Sequence, residues 1–184
     1  MKVVRIVFVG RSNVGKSSTI KALTGAKIKV GKRPGVTLKP RIIYWQGHEI
    51  IDLPGFGFMA GVSHEKQEKI KDFIVEFLER GKFDKAIQVT DAKAFAEIAR
   101  RWEKRGEIPI EIEMFNFLRE LKLKPLLVAN KIDKIPKDKR DEKLNEICML
   151  LGFSAPWYKH DFIIPFSAKT KENLELLKER IFHD

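Results

Sequence analysis

The chain has 184 residues, about one domain's length, and 43% of them are apolar, which excludes a disordered chain. Lys and Arg number 36 against 25 Asp and Glu, a net charge of +11 with a pI near 9.7, and a surplus of that size points to anionic partners. The single cysteine, Cys148, excludes an internal disulfide framework, and no apolar stretch approaches the roughly 20 residues of a membrane-spanning helix.

Residues 3–9 are apolar and largely β-branched apart from Arg5, which predicts a strand buried on both faces. A glycine-bounded turn at 10–15 leads into a helix over 16–23, ended by Gly25. Residues 26–38 carry Gly31, Pro34 and Gly35 and read as a loop. Strands at 41–45 and 49–52 flank Gln46-Gly47-His48 and predict a hairpin. A glycine-rich loop at 54–61 precedes a helix over 64–80, whose period shows in Ile70, Phe73, Ile74, Phe77 and Leu78. A strand at 85–90 is followed by helices over 92–105 and 110–121, split by Gly106 and Pro109. Then come a strand at 125–129, a helix over 137–151, a strand at 162–166 and a helix over 171–182. This alternation predicts an α/β fold: a mostly parallel six-stranded sheet with one antiparallel edge strand and helices on both faces. No repeat, low-complexity tract or linker interrupts it, so residues 1–184 read as a single domain.

Gly10-Arg11-Ser12-Asn13-Val14-Gly15-Lys16-Ser17, followed by Ser18, fits G-x-x-x-x-G-K-[ST] between a predicted strand and a predicted helix. Glycines let the backbone wrap phosphate oxygens and turn its N–H groups inward, and the helix start adds the positive end of its dipole. Lys16 can then neutralise the β- and γ-phosphates, and the Ser17 hydroxyl can hold Mg²⁺. A chance glycine-rich turn is the plain alternative, and the strand–turn–helix context disfavours it.

The base is named further on. Asn130-Lys131-Ile132-Asp133 follows the fifth strand. Guanine presents N1–H and a 2-amino group side by side, and the Asp133 carboxylate can accept from both; adenine offers no such pair. Asn130 would tie this loop to the phosphate loop, and the Lys131 stem would cover the base. Ser167-Ala168-Lys169, after the last strand, fits the companion loop whose Ala168 N–H faces guanine O6. Asp52-Leu53-Pro54-Gly55 fits D-x-x-G, with Asp52 holding Mg²⁺ through water and the Gly55 N–H sensing the γ-phosphate. Thr37 fits the threonine that closes over Mg²⁺ in the triphosphate state. The metal ligands expected are therefore Ser17, Thr37 and Asp52.

With these residues in hand the chain resembles a GTPase of the translation-factor-related class, and within it the EngB (YihA/YsxC) family. The carrying stretches are residues 10–18, Pro34-Gly35-Val36-Thr37 and Asp52-Leu53-Pro54-Gly55-Phe56-Gly57-Phe58, the last close to that family's DLPGYGY. The resemblance spans about residues 1–182. It implies a three-layer P-loop GTPase domain, GTP and GDP binding with Mg²⁺, slow intrinsic hydrolysis and a role in maturing the large ribosomal subunit. It also brings the family's connection to cell division and septation. Asn130-Lys131-Ile132-Asp133 replaces the usual TKxD, and residues 107–121 are unlike the bacterial members, which suits an archaeal branch. The charged fraction of 33% with few Gln and Asn resembles thermophile usage.

Phe56 stands where a Ras-like enzyme has a water-orienting glutamine, so the expectation is slow turnover or help from another group. Asn13 is the candidate: in related GTPases an asparagine at this place helps bind K⁺, which takes the part of an arginine finger. The plain alternative is a turn residue. Lys16, Thr37, Gly55 and Asn13 are thus the expected catalytic set.

The charge is concentrated. Residues 1–60 hold eleven Lys and Arg and only two acids, Glu49 and Asp52, and from Lys21 to Arg41 there are seven cations and no anion. This face is either solvated or meets a polyanion such as ribosomal RNA. Phe56, Phe58 and Met59 read first as packing and second as a nucleotide-gated partner surface. Arg100-Arg101-Trp102 reads first as a solvated basic face and second as an RNA contact. Cys148 reads as core, and the four histidines have no metal-ligand spacing. With no lipidation or secretion signal recognised, the expectation is a cytoplasmic monomer without membrane attachment. A protein-recruiting switch without RNA contact is the competing function.

Overall fold

The computed structural model describes residues 2–27 and 39–183. Thr37, Pro34 and Gly35 lie outside them, as do Lys29, Lys32 and Arg33 of the basic stretch. Six strands form one sheet: β1 (Arg5–Gly10), β2 (Arg41–Trp45), β3 (His48–Asp52), β4 (Lys85–Asp91), β5 (Leu126–Asn130) and β6 (Ile163–Pro165). Their order is β2-β3-β1-β4-β5-β6, and only β2 runs antiparallel, paired to β3 through the hairpin.

The helices are α1 (Lys16–Thr24), α2 (His64–Arg80), α3 (Phe95–Lys104), α4 (Ile110–Glu120), α5 (Arg140–Leu150) and α6 (Leu174–Phe182). The period of two along β1 sends Ile6 and Phe8 to one face and Val7 and Val9 to the other. Ile6 and Phe8 pack with Ile20 and Leu23 of α1 and Leu177 and Ile181 of α6. Val7 and Val9 pack with Ile70, Ile74 and Leu78 of α2 and Met114 and Leu118 of α4. Leu127 and Ala129 of β5 close the same side against Phe95 of α3 and Leu144, Ile147 and Cys148 of α5. The result is the three-layer α/β arrangement expected.

Differences from expectation fall at element ends. Val3 is 59% exposed, so the first strand starts only at Arg5. The helix expected from 92 begins at Phe95 because the Asp91 carboxylate accepts from the backbone N–H of Lys93 (3.0 Å) and Ala94 (3.1 Å), turning the chain first. The helix expected over 137–151 opens as a 3₁₀ turn, Lys137–Lys139, before α5. The last helix begins at Leu174, after Asn173 at φ 64 donates its amide to the Pro165 carbonyl (2.8 Å).

Because five strands are parallel, their carboxyl ends (Gly10, Asp52, Asp91, Asn130 and Pro165) meet at one edge of the sheet. Chain order reverses at β1, flanked by β3 and β4, and a crevice outside the strand ends forms there.

Candidate functional site: the carboxyl pole of the sheet

The loop between β1 and α1 is held by close approach. A Cβ on Gly15, at φ 90, would stand 2.2 Å from Asn130 Nδ2, and one on Gly10 would stand 2.9 Å from the Val89 carbonyl oxygen. No side chain fits at either place. Asn130 is buried, donates Nδ2 to the Val14 carbonyl (2.9 Å) and accepts at Oδ1 from the Ala168 N–H (3.0 Å). One amide therefore fixes the 10–18 loop, the 130–133 loop and the 167–169 loop together.

Between these loops is a cavity of about 590 Å³, lined by Gly15, Ser18, Asn130, Lys131, Asp133 and Ala168 among others, with Lys169 at its exposed rim. The Ser167 hydroxyl donates to Asp133 Oδ1 (2.7 Å), which orients the carboxylate and leaves its second oxygen for a ligand. Lys131, at φ 65, donates Nζ to the Asn13 carbonyl (2.9 Å) and to Asp91 Oδ2 (3.1 Å), so its stem bridges the two loops. A planar base between the Lys131 stem and the 167–169 loop, with its donors toward Asp133, suits this geometry.

Lys16 is buried and forms an ion pair with Asp52, and its Nζ also donates to the Leu53 carbonyl (2.5 Å). Burial pulls its pKa below the ordinary lysine value, against the opposing pull of Asp52. Arg41 Nη2 stands 3.3 Å from the other Asp52 oxygen. Ser17 is half-buried at the first turn of α1. Among the described residues no group of three His, Cys, Asp or Glu could cage a metal. One carboxylate and one hydroxyl are nonetheless the hard oxygen donors that Mg²⁺ takes when phosphates and water complete its shell, so Asp52 and Ser17 fit it.

The D-x-x-G loop lies against the phosphate loop. A Cβ on Gly55 would be 3.2 Å from Ser12 Cα. The Ser12 N–H donates to the Phe56 carbonyl (2.9 Å) and the Phe56 N–H to the Gly10 carbonyl (3.2 Å). Phe56 and Met59 are buried in the core beneath α2, while Phe58 is 72% exposed. Asn13, at φ 68, has an exposed side chain.

Two features escaped the sequence reading, one at this pole and one spread over the molecule. Glu111 of α4 is buried, accepts the Thr90 hydroxyl at Oε1 (2.7 Å) and stands 3.8 Å from Arg11 Nε. Burial raises its carboxyl to about 6, above the Thr90 and Arg11 contributions that lower it. Its only trace in the sequence is an acid inside Ile110-Glu111-Ile112. The second is the pairing of the early cations: Lys2 with Asp84, Arg5 with Glu49, Arg11 with Glu111, and Lys16 and Arg41 with Asp52. Likewise Arg100 pairs with Glu146 and Arg101 with Glu97, and Trp102 packs against the core beneath α2.

Known proteins share this sequence and fold. Residues 5–131 match a family model described as 50S ribosome-binding GTPase. The probable GTP-binding protein EngB of Pyrococcus abyssi is 52% identical over 182 residues, 96% of this chain and 83% of that protein. That of Methanopyrus kandleri is 51% identical over 185 residues, 96% of this chain and 91% of its own. Among solved structures, a probable GTP-binding protein engB superimposes with a TM-score of 0.88 at 49% identity, covering 97% and 96% of the two chains. A variant of Aquifex aeolicus Era bound to GDP·AlF₄⁻ follows with a TM-score of 0.68 at 28% identity, over 98% of this chain and 56% of that one.

Proposed function

The chain belongs to the EngB family of GTP-binding proteins, and we propose that it acts there as a single-domain, Mg²⁺-dependent GTPase switch assisting assembly of the large ribosomal subunit. The observation that carries the reading is Asn130, whose one amide holds the phosphate loop and both candidate base loops in a fixed relation. Asp133 reads guanine, Lys16 leaves Asp52 for the β- and γ-phosphates, and the N–H groups from Asn13 to Ser18 cradle them. Asp52, Ser17 and Thr37 would hold Mg²⁺, which would neutralise phosphate charge. The Gly55 N–H senses the γ-phosphate, and because Gly55 lies on Ser12 its displacement moves the D-x-x-G loop.

The ribosomal part is supported by the matching family's description and by the positive net charge. On this reading the protein works as a cytoplasmic monomer, and among the described residues no helix is long and apolar enough to cross a membrane. One observation favours a second reading, recruitment of a protein partner: Phe58 is 72% exposed on the loop that responds to the γ-phosphate.

Co-sedimentation with large ribosomal subunits, in GDP and in a non-hydrolysable GTP analogue, tests the first reading. Binding that depends on the nucleotide is expected. Absence of binding in both states, with a nucleotide-dependent protein captured through Phe58, would favour the second.

A further inference from the structure

At the opposite pole, where β4, β5 and β6 begin, a cavity of about 530 Å³ opens beside the end of α4. Its floor is aromatic. The Phe153 and Phe162 rings lie 4.4 Å apart by centroid, and Phe115 is 5.5 Å from Phe162. The Arg119 guanidinium stands 4.9 Å over the Phe153 ring. The rim is cationic, and its cations differ in what explains them. Arg119 and Arg180 occupy the last turns of α4 and α6, where a cation offsets the helix dipole, and Arg180 pairs with Asp161 at 2.8 Å.

Lys122 is the left-handed residue that closes α4, its N–H donating to the Arg119 carbonyl (2.9 Å) and the Leu123 N–H to the Leu118 carbonyl (3.1 Å), whereas Lys124 has no such account. Both lysines sit in the turn between α4 and β5, exposed, and neither pairs with a carboxylate among the described residues. Both have left-handed backbone, at φ 58 and φ 45. That conformation suits glycine and asparagine and disfavours lysine. The buried Leu123 between them anchors the turn. Two lysines are thus held, against backbone preference, at the mouth of an aromatic cavity. Their common property is charge aimed outward beside a stacking surface.

We propose that this cavity and its lysine turn bind a single-stranded RNA segment, with an unstacked base against Phe162 and the Arg119 guanidinium that covers Phe153, and backbone phosphates on Lys122 and Lys124. Aromatic rings beside a basic groove bind single strands, because every base has a stacking face once it is freed from a duplex. The planar Arg119 side chain extends the platform. The inference rests on the ribosomal reading only for RNA being the polyanion the protein meets. It moves the expected contact from the basic first third, where five cations are already paired, to the turn between α4 and β5.

Fluorescence anisotropy with a labelled oligouridylate tests it, using the full chain loaded with GDP. The K122N/K124N variant removes both charges and places asparagine where the backbone favours it, so folding is not at risk. Affinity should fall by about tenfold or more, and the slope of log K against log salt should flatten by about 1.4, two phosphates at about 0.7 each. GDP affinity should not change. Phe153→Leu should weaken the single strand while leaving duplex RNA of equal length as poorly bound as before. The inference is overturned if the wild-type protein does not bind, if K122N/K124N keeps affinity and slope, if duplex binds as well as single strand, or if polyglutamate of equal charge displaces the RNA at equal affinity. Oligonucleotide binding that is lost in K122N/K124N, with no co-sedimentation with subunits, leaves this site standing and removes the ribosomal reading instead.

Discussion

At the carboxyl pole of the sheet, charges come in partnered sets: Lys16 and Arg41 on Asp52, Lys131 on Asp91, Arg11 beside Glu111, and Asp133 held by Ser167. At the amino pole, Lys122 and Lys124 stand in solvent without a carboxylate among the described residues. The first arrangement suits a ligand recognised by the direction of each hydrogen bond, since partnered, buried groups cannot turn to meet a different shape. The second suits a ligand recognised by charge density, whose affinity depends on salt. The two poles should therefore fail separately, and substitutions in one test the independence of the other.

The largest effect is expected at Asp133. Asp133→Asn keeps an oxygen for the Ser167 hydroxyl and turns an amide toward the base, where xanthine offers a 2-oxo acceptor. Discrimination between GTP and XTP should swing by about 10³ or more, as sites built on buried hydrogen bonds do. Competition binding measures it, and unchanged selectivity would show that another group reads the base. Oligouridylate affinity should not move.

Lys16→Ala comes next. Charge-assisted hydrogen bonds are worth about 1.5–3 kcal/mol, so GDP affinity should fall about ten- to a hundredfold. Arg41 still faces Asp52, so the fold should persist, and circular dichroism alongside a GDP titration checks both halves. Wild-type affinity in the folded variant would remove Lys16 from the phosphate site.

How much of each pole was legible in the sequence follows the same divide. The carboxyl pole was readable because its motifs are local. Gly10, Gly15 and Lys16 fall at fixed spacing after an apolar strand, and Asn130 and Asp133 at fixed spacing after another. The strands themselves were readable from residues such as Ile6 to Val9, apolar on both faces. Element starts at Phe95 and Leu174 were not, because the Asp91 and Asn173 side chains decide them through specific hydrogen bonds. Glu111 was hidden for a related reason: an acid on an amphipathic helix reads as solvated until Thr90 and Arg11, distant in sequence, are brought to it. The amino pole carried no motif, since Phe115, Phe153 and Phe162 come together only through the sheet.

Glu111 supplies a third test, of how complete the pairing at the carboxyl pole is. Its folded carboxyl titrates at about 6, above the ordinary 4.5, so the folded state holds the proton more tightly than the unfolded chain. Its contribution is fully present below pH 4.5 and is lost as pH rises through about 6. That loss amounts to about 2 kcal/mol of stability. Urea melts at pH 4.5 and 7.5 should show this decline in the wild type and a decline smaller by about that amount in Glu111→Gln. An identical pH dependence in the two proteins would mean that Arg11, 3.8 Å away, keeps the carboxylate ionised throughout.

The smallest effect concerns the attacking water. Phe56 is buried with its backbone tied to Gly10 and Ser12, so its side chain has no route to a water at the γ-phosphate. Asn13 differs: its carbonyl accepts from Lys131 Nζ while its side chain is exposed beside the phosphate loop. A K⁺ held there would stabilise charge developing on the phosphates, as an arginine finger does, and Na⁺ is too small to fit the same oxygens. Hydrolysis should run about tenfold faster in KCl than in NaCl at equal ionic strength, well short of the roughly 10³–10⁵ of an arginine finger. The variant that tests Asn13 is Asn13→Gly rather than Asn13→Ala, because φ 68 at this position strains any side chain with a Cβ, and glycine removes the amide while keeping the loop. Asn13→Gly should lose the KCl advantage and keep GDP affinity. Equal rates in the two salts for the wild-type protein would leave Asn13 as a turn residue and assign water positioning to a group supplied from outside the chain.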